Sequence, residues 1–130
     1  MKTIVAGSRS ITDRKWVYDV LDSRRSAITE VVCGMALHWL WKEDREIGGA
    51  DRYAYDWAHL NDIPVAEFKP DWTRGKGAGL NRNCDMARYA EFLIAFHEND
   101  STGTAHMIKI MEMMGKPVIV EKQDFMSLFA

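Results

Sequence analysis

The sequence predicts an α/β protein with a Rossmann-like three-layer sandwich, in which about five parallel strands lie between helices on both faces. Short apolar runs alternate with amphipathic helical segments along the chain, and Gly7 and Gly34 end the first two runs. Since strand–helix–strand units connect right-handedly, this order gives a parallel sheet covered by helices on both sides. The length of 130 residues is that of one domain, so residues 1–130 are predicted to form a single domain.

A short apolar strand opens the chain, and an amphipathic helix follows it. The strand spans Thr3–Ala6 and is ended by Gly7. Thr12 is placed to cap the helix, because the apolar residues after it repeat at the spacing of one helix face. That stripe consists of Trp16, Val17, Val20 and Leu21. A second strand, Glu30–Cys33, ends at Gly34.

The next helix and strand repeat this pattern after an irregular segment. The helix carries the apolar stripe Ala50, Tyr53, Ala54, Trp57 and Ala58. The strand Ile63–Phe68 follows, and Pro64 near its start suits a strand at the edge of the sheet. Residues 35–47 are interpreted as an insertion, apolar in the first half and charged in the second. It is either a packed or self-associating surface around Trp39 and Trp41, or a lid over a ligand.

The second half of the chain completes the alternation. A helix over Ala78–Tyr89 precedes a strand over Glu91–Phe96, and a helix over Thr102–Met114 precedes a strand over Lys116–Glu121. Gly115 is placed where a helix often ends. Several large apolar residues are at the spacing of core positions and are interpreted as packing: Trp16, Trp57, Phe92, Phe96 and the methionines from Met107 to Met114.

Composition and charge exclude several classes of function. The net charge of −2 and the absence of a basic stripe argue against general nucleic-acid binding, although a local basic pocket stays possible. No segment approaches the ~20 apolar residues of a membrane span, so no membrane partner is expected. Cys33 and Cys84 lack metal-site spacing and the histidines are scattered, so we predict reduced thiols, no metal, no cofactor and a cytoplasmic location.

Three turns are expected to converge on a ligand. They follow the first, second and fourth strands, and all contain small residues: Gly7–Ser10, the segment Gly34–Asp51, and Ser101–Thr104. Ligands of such folds bind beyond the carboxyl ends of the strands, and free N–H groups at a helix start favour phosphate. Gly103 in a first helical turn costs up to ~1 kcal/mol against alanine, which close approach of a phosphate would explain. With Arg82 and Asn83 nearby, the site is predicted to bind a phosphorylated small molecule.

Several of these residues also have a purely structural interpretation. Arg82 could pair with Asp85 or Asp51 on a solvated face, and Asp51 could favour its own helix start instead of accepting from a sugar hydroxyl. His106 is either a surface histidine or a general acid. Trp72 and Lys76 lie in the polar connection Lys69–Gly79. Trp72 is expected to be an anchor that could instead stack on a base, and Lys76 a loop charge that could instead screen a phosphate.

A series of motifs in fixed order extends over nearly the whole chain: Gly7-Ser8-Arg9, Val31-Val32-Cys33-Gly34, Gly49-Ala50-Asp51-Arg52, Ile63-Pro64-Val65, Gly79-x-x-Arg82-Asn83-x-x-Met86 and Ser101-Thr102-Gly103-Thr104. This series resembles the YspA-like branch of the SLOG superfamily, which joins the Lonely Guy nucleotide phosphoribohydrolases with the Smf/DprA proteins. The resemblance implies a Rossmann-like sheet and a nucleotide-derived ligand. It also implies ligand-binding roles for Gly7, Ser8, Arg9, Gly49, Ala50, Asp51, Arg82, Thr102, Gly103 and Thr104. The turns themselves add Gly34 and Ser101 to the predicted ligand-binding residues, and the hydrogen-bonding capacity of its amide beside Arg82 adds Asn83.

One departure from the hydrolases of that superfamily decides the functional expectation. In them a glutamate lies three residues after the threonine of the phosphate turn, whereas Met107 occupies that position here. We therefore expect binding, as a sensor or sequestering protein, with no assigned catalytic residue. The alternatives are a hydrolase of the nucleotide N-glycosidic bond, and an interaction protein, including a homo-oligomer, that acts through Trp39 and Trp41. In the hydrolase, Arg82 would hold the phosphate, and a carboxylate would assist departure of the base or activate water. The candidates for this carboxylate are Asp51, Asp85 and Glu98.

Overall fold

The described strands form one parallel sheet with helices on both faces, which confirms the predicted fold class. The computed structural model describes residues 1–8, 10–34, 49–71, 73, 75, 77–97 and 102–122. The elements in chain order are β1 (Lys2–Gly7), α1 (Arg14–Ser23), a 3₁₀ turn (Arg25–Ala27), β2 (Glu30–Gly34), α2 (Ala50–Leu60), β3 (Val65–Phe68), α3 (Ala78–Tyr89), β4 (Phe92–His97), α4 (Thr102–Met113) and β5 (Val118–Lys122). The predicted bounds differ from these by no more than two residues where a range was stated.

The sheet has the order β3-β2-β1-β4-β5, with all neighbouring strands parallel. The chain builds outward from β1 to β3 and then returns to the other side of β1 to add β4 and β5. Ala6 pairs with Ala95 and Gly7 with Phe96 at the carboxyl ends of β1 and β4. The order of the strands reverses between these two, and folds of this class leave a crevice at that place.

The two faces of the sheet bury different side chains. On the face covered by α1 and α2, Val17, Leu21 and Trp57 pack with Val5 and Phe96 of the strands. On the other face, α3 and α4 contribute Met86, Met107 and Met111, which pack with Ile4, Val32 and Leu93. Because successive residues of a strand point to opposite faces, Ile4 and Val5 belong to different clusters. The apolar stripes expected for α1 and α2 are confirmed.

Three local expectations can now be compared with the structure. The expected cap Thr12 is wrong: Asp13 directly precedes α1, and its carboxylate accepts a hydrogen bond from Trp16 N at 3.0 Å. Met107 and Met111 are buried, but Met113 is 78% exposed and Met114 is also exposed, because both lie at the free end of α4. The edge position expected near Pro64 is confirmed, since β3 is an outer strand and begins one residue later.

Part of the earlier interpretation concerns residues that the structure does not describe. The insertion at 35–47, with Trp39 and Trp41, lies outside the described residues. Over the described ranges, none of the helices combines the length and apolar character that crossing a membrane requires. Within the same ranges, no group of three or more His, Cys, Asp or Glu side chains is placed to hold a metal ion.

Candidate functional site

A cavity of about 370 Å³ lies at the carboxyl ends of the central strands. Four segments of the chain form its rim: the end of β1, the end of β2, and the first turns of α2 and α4. The residues concerned are Gly7, Ser8, Gly34, Asp51, Gly103 and Thr104. The described parts of the three predicted turns therefore contribute residues to one rim, and the binding of a ligand there stays a prediction.

The long side chains of the site come from α3. Arg82 and Asn83 both line the cavity, and α3 lies against α4 on the same face of the sheet. Eight of the predicted ligand-binding residues thus surround one space. Gly49, Ala50 and Thr102 do not line it, and Arg9 and Ser101 lie outside the described residues.

Gly7 and Gly49 bring the start of α2 to the cavity. A Cβ atom on Gly7 would lie 2.6 Å from Cβ of Ala50, so α2 begins in direct contact with the end of β1. Gly49 has a φ of 111°, which glycine adopts without strain, and its N–H donates to the carbonyl oxygen of Ile11 at 2.8 Å. This packing places Asp51, in the first turn of α2, on the rim.

Gly34 makes room for Arg82. A Cβ atom on Gly34 would lie 2.5 Å from Nη1 and 2.9 Å from Cζ of Arg82. The guanidinium group is therefore seated directly over the Cα of Gly34 at the end of β2. Any side chain at position 34 would displace it.

The charged group of Arg82 is incompletely paired. Its Nε donates to Asn83 Oδ1 at 3.0 Å, whereas Nη1 is buried and has no hydrogen-bond partner in the part of the chain that the structure describes. Burial lowers the pKa of Arg82, and the negative charge of Asp51 opposes this shift. The guanidinium stays protonated all the same, because arginine does not titrate in proteins. A buried charged donor without a partner is costly, and an anion in the cavity would offset that cost.

The pairing of Arg82 with Asp85 that the sequence left open is wrong. Asp85 accepts a hydrogen bond from Arg88 at 3.1 Å, and both side chains are exposed on the outer face of α3. Asp85 does not line the cavity either. Among the candidate carboxylates, Asp51 is at the rim, and Glu98 lies outside the described residues, as do Trp72 and Lys76.

Asn83 connects the arginine to a histidine on the neighbouring helix. Asn83 is only 7% exposed, and its Nδ2 lies 3.4 Å from Nδ1 of His106. His106 is half-buried and does not line the cavity. The contact between α3 and α4 thus includes a polar pair, and Asn83 links this pair to the guanidinium group of Arg82.

The first turn of α4 leaves open space beside it. A Cβ atom on Gly103 would meet nothing within 4 Å, so the packing of the described residues does not require glycine there. Thr104, one residue later, is buried and lines the cavity. The N–H groups of a first helical turn have no partners within the helix, and an anion can bind there.

The floor of the cavity is apolar, which the site prediction from the sequence missed. Met86 and Met107 are 3% and 2% exposed and line the cavity together with Val5 and Ala6. Each methionine follows a polar cavity residue of its own helix by three residues, which is about one helical turn. That spacing from Asn83 and Thr104 was the signal in the sequence that could have identified both.

Cys33 is an inert neighbour of the site. Its side chain is completely buried, and Sγ donates to the carbonyl oxygen of Asp51 at 3.6 Å. Burial raises the pKa of the Cys33 thiol well above its ordinary value. The group therefore stays protonated and is no nucleophile.

Comparison with known proteins identifies the family. The model of the YspA, cpYpsA-related SLOG family matches residues 1–75. The chain is 32% identical over 123 residues to the Gene 61 protein of Mycobacterium phage D29, and the match covers 91% of this chain and 94% of that protein. No solved structure matches the chain significantly. Because the family model covers more than half of the chain, and the phage protein nearly all of it, the chain belongs to the YspA, cpYpsA-related SLOG family.

Proposed function

We propose that the cavity binds a nucleotide-derived phosphorylated small molecule, which the protein senses or sequesters. The observation that carries the proposal is the state of Arg82. Its guanidinium group is seated over Gly34, lines the cavity, and keeps a buried nitrogen without a partner among the described residues. A protein retains such a group at a cost in stability, and an anionic ligand would supply the missing partner.

The phosphate of the ligand is proposed to lie between Arg82 and the first turn of α4. Gly103 leaves that space open, and Thr104 adds a hydroxyl group at the cavity wall. A planar guanidinium together with backbone N–H groups is a combination that suits phosphate oxygens.

The rest of the ligand is proposed to extend toward the methionines. A volume of about 370 Å³ is at the lower end of small-molecule sites, which favours one nucleotide over a dinucleotide. Met86 and Met107 offer polarizable sulfur atoms to a flat ring, and Ser8 and Asp51 offer polar contacts at the rim. Membership of the SLOG family supports a nucleotide-related ligand.

Hydrolysis of the N-glycosidic bond is the second candidate, because the carboxylate of Asp51 lines the same cavity. Binding is preferred because the apolar Met107 occupies the position at which the superfamily's hydrolases carry a glutamate. Incubation with a nucleotide panel, followed by chromatography for free base, separates the two functions. Release of base by the wild type, lost in Asp51→Asn, would establish the hydrolase.

The binding proposal is tested by a thermal-shift screen with nucleoside mono-, di- and triphosphates and ADP-ribose. A ligand at 100 times its Kd stabilises the folded state by ~2.7 kcal/mol. We expect Arg82→Ala to abolish the shift, while Arg88→Ala, on the exposed side of the same helix, retains it. A shift that persists in Arg82→Ala places the site elsewhere, and the absence of any shift in the wild type argues against a nucleotide ligand.

A further inference from the structure

We propose that His106 is a positioning residue for Arg82, that it acts through Asn83, and that it does so as the neutral tautomer with its proton on Nε2. The assignment of Arg82 as the residue that holds the ligand rests on the proposed function. The chain of contacts from His106 to Arg82 rests on geometry alone, so the two can be tested separately.

The orientation of the Asn83 amide follows from its hydrogen bond with Nε of Arg82. Arg82 Nε can only donate, and it lies 3.0 Å from Asn83 Oδ1. The flipped amide would place the Nδ2 donor against this donor, so the flip is unfavourable. The Nδ2 group must therefore face His106 Nδ1, at 3.4 Å.

The tautomer of His106 follows from the amide. Nδ2 carries two protons and cannot accept, so Nδ1 of His106 must be the acceptor. The imidazole is then neutral, with its proton on Nε2. The alternatives, a proton on Nδ1 or on both nitrogens, would put two donors face to face between α3 and α4.

Arg82 needs this support because of its place on the helix. Side chains at neighbouring positions of a helix diverge, so the contact of Arg82 with Asn83 requires the arginine to fold back across the helix surface. Asn83 is buried and accepts from Arg82 through Oδ1, and His106 contacts the Nδ2 end of the same amide. The result is a guanidinium group kept over Gly34 before any ligand arrives.

The tautomer can be read directly by ¹⁵N NMR of the histidine ring. We expect His106 of the wild type to show a proton on Nε2 and none on Nδ1. Asn83→Asp replaces the donor by a carboxylate oxygen, so His106 should change to a form with a proton on Nδ1, while the exposed His59 on α2 keeps its signals. A wild-type His106 protonated on Nδ1, or one unaffected by Asn83→Asp, would overturn the proposal.

The positioning role is tested through the Nε–H resonance of Arg82. In His106→Phe, which fills the space without an acceptor, we expect hydrogen exchange of this group to accelerate about fivefold, as for the loss of one neutral hydrogen bond. His106→Gln should restore the slow rate, because its side-chain oxygen can accept from Asn83. An unchanged exchange rate in His106→Phe would refute the positioning role.

A binding experiment with AMP separates this inference from the proposed function. We expect the affinity for AMP to fall about fivefold in His106→Phe, to recover in His106→Gln, and to be unchanged in His59→Phe. If the wild type does not bind AMP, the proposed function loses support for that ligand, and the tautomer and exchange rate still decide the role of His106. If AMP binds through Arg82 but His106→Phe has no effect on affinity, the positioning role is wrong and the proposed function stands.

Discussion

Each face of the sheet holds an arginine that lies at least partly in the interior, and the two arginines differ in their hydrogen-bond partners. Arg52 on α2 is 7% exposed, and its Nε donates to both carboxylate oxygens of Asp56 at 3.2 and 3.3 Å. Asp56 also accepts from Arg14 of α1 at 3.2 Å, so this charge network is built from the protein's own residues. Arg82 on α3 has an amide as its hydrogen-bonded neighbour and a nitrogen without a partner among the described residues.

This difference distinguishes an arginine whose charge is paired within the protein from one whose charge we propose to pair with a ligand. The network of Asp56 links α1 to α2 and needs no further group to be complete. The guanidinium of Arg82 lies in a cavity beside the start of a helix, where a phosphate would complete its hydrogen bonds. Burial alone therefore does not distinguish the two arginines, whereas incomplete pairing inside the cavity does, and the ligand-binding role that we propose for Arg82 rests on that difference.

The largest effect is expected when the ion-pair network of Asp56 with Arg14 and Arg52 is broken. Asp56→Ala leaves Arg14 and the buried Arg52 without their shared carboxylate, so we expect a loss of about 3 kcal/mol in the free energy of unfolding. Arg82→Met should change stability by less than about 1 kcal/mol, because the loss of the hydrogen bond to Asn83 is opposed by removal of a buried charged donor that has no partner among the described residues. Urea denaturation measures the free energy of unfolding of both variants. Asp85→Ala, which removes an exposed ion pair, is the matched control and should lower that free energy by less than about 0.5 kcal/mol. An Arg82→Met variant as unstable as Asp56→Ala would assign Arg82 a structural role.

The second prediction compares Gly34 and Gly103, two of the three described glycines that line the cavity. Gly34→Ala places a Cβ 2.5 Å from Nη1 of Arg82, so the arginine must move, and we expect ~1–3 kcal/mol of destabilisation and weaker binding of the ligand. Gly103→Ala meets nothing within 4 Å, and alanine stabilises a helix by up to ~1 kcal/mol over glycine. We therefore expect Gly103→Ala to keep or raise the melting temperature but to weaken binding.

Thermal melts together with calorimetric titration of a nucleotide found in the screen measure both effects. If Gly103→Ala binds as tightly as the wild type, the phosphate does not approach the first turn of α4. If Gly34→Ala leaves stability and affinity unchanged, Arg82 has another conformation that serves equally well.

The fold and the rim of the cavity could be predicted because both follow from local pattern. Alternating apolar runs and helical stripes fix the parallel sheet, and the carboxyl ends of its strands must share one edge. The seat of Arg82 over Gly34 could not be predicted, because it depends on how closely α3 approaches the end of β2. The contact of Asn83 with His106 likewise depends on the packing of α3 against α4, which no spacing in the sequence records.

The smallest predicted effect concerns the start of α1, where the cap is Asp13 and not the predicted Thr12. Both Thr and Asp are good caps, so residue type alone could not choose between Thr12 and Asp13. Asp13 accepts from Trp16 N, so Asp13→Ala should cost ~1 kcal/mol, or roughly 4 °C in Tm, whereas Thr12→Ala should change little. Because neither these two residues nor any residue of α1 lines the cavity, neither variant should alter ligand affinity. Loss of binding in Asp13→Ala would show that the α1 face and the cavity are coupled, and the contrast drawn between the two arginines would then have to be abandoned.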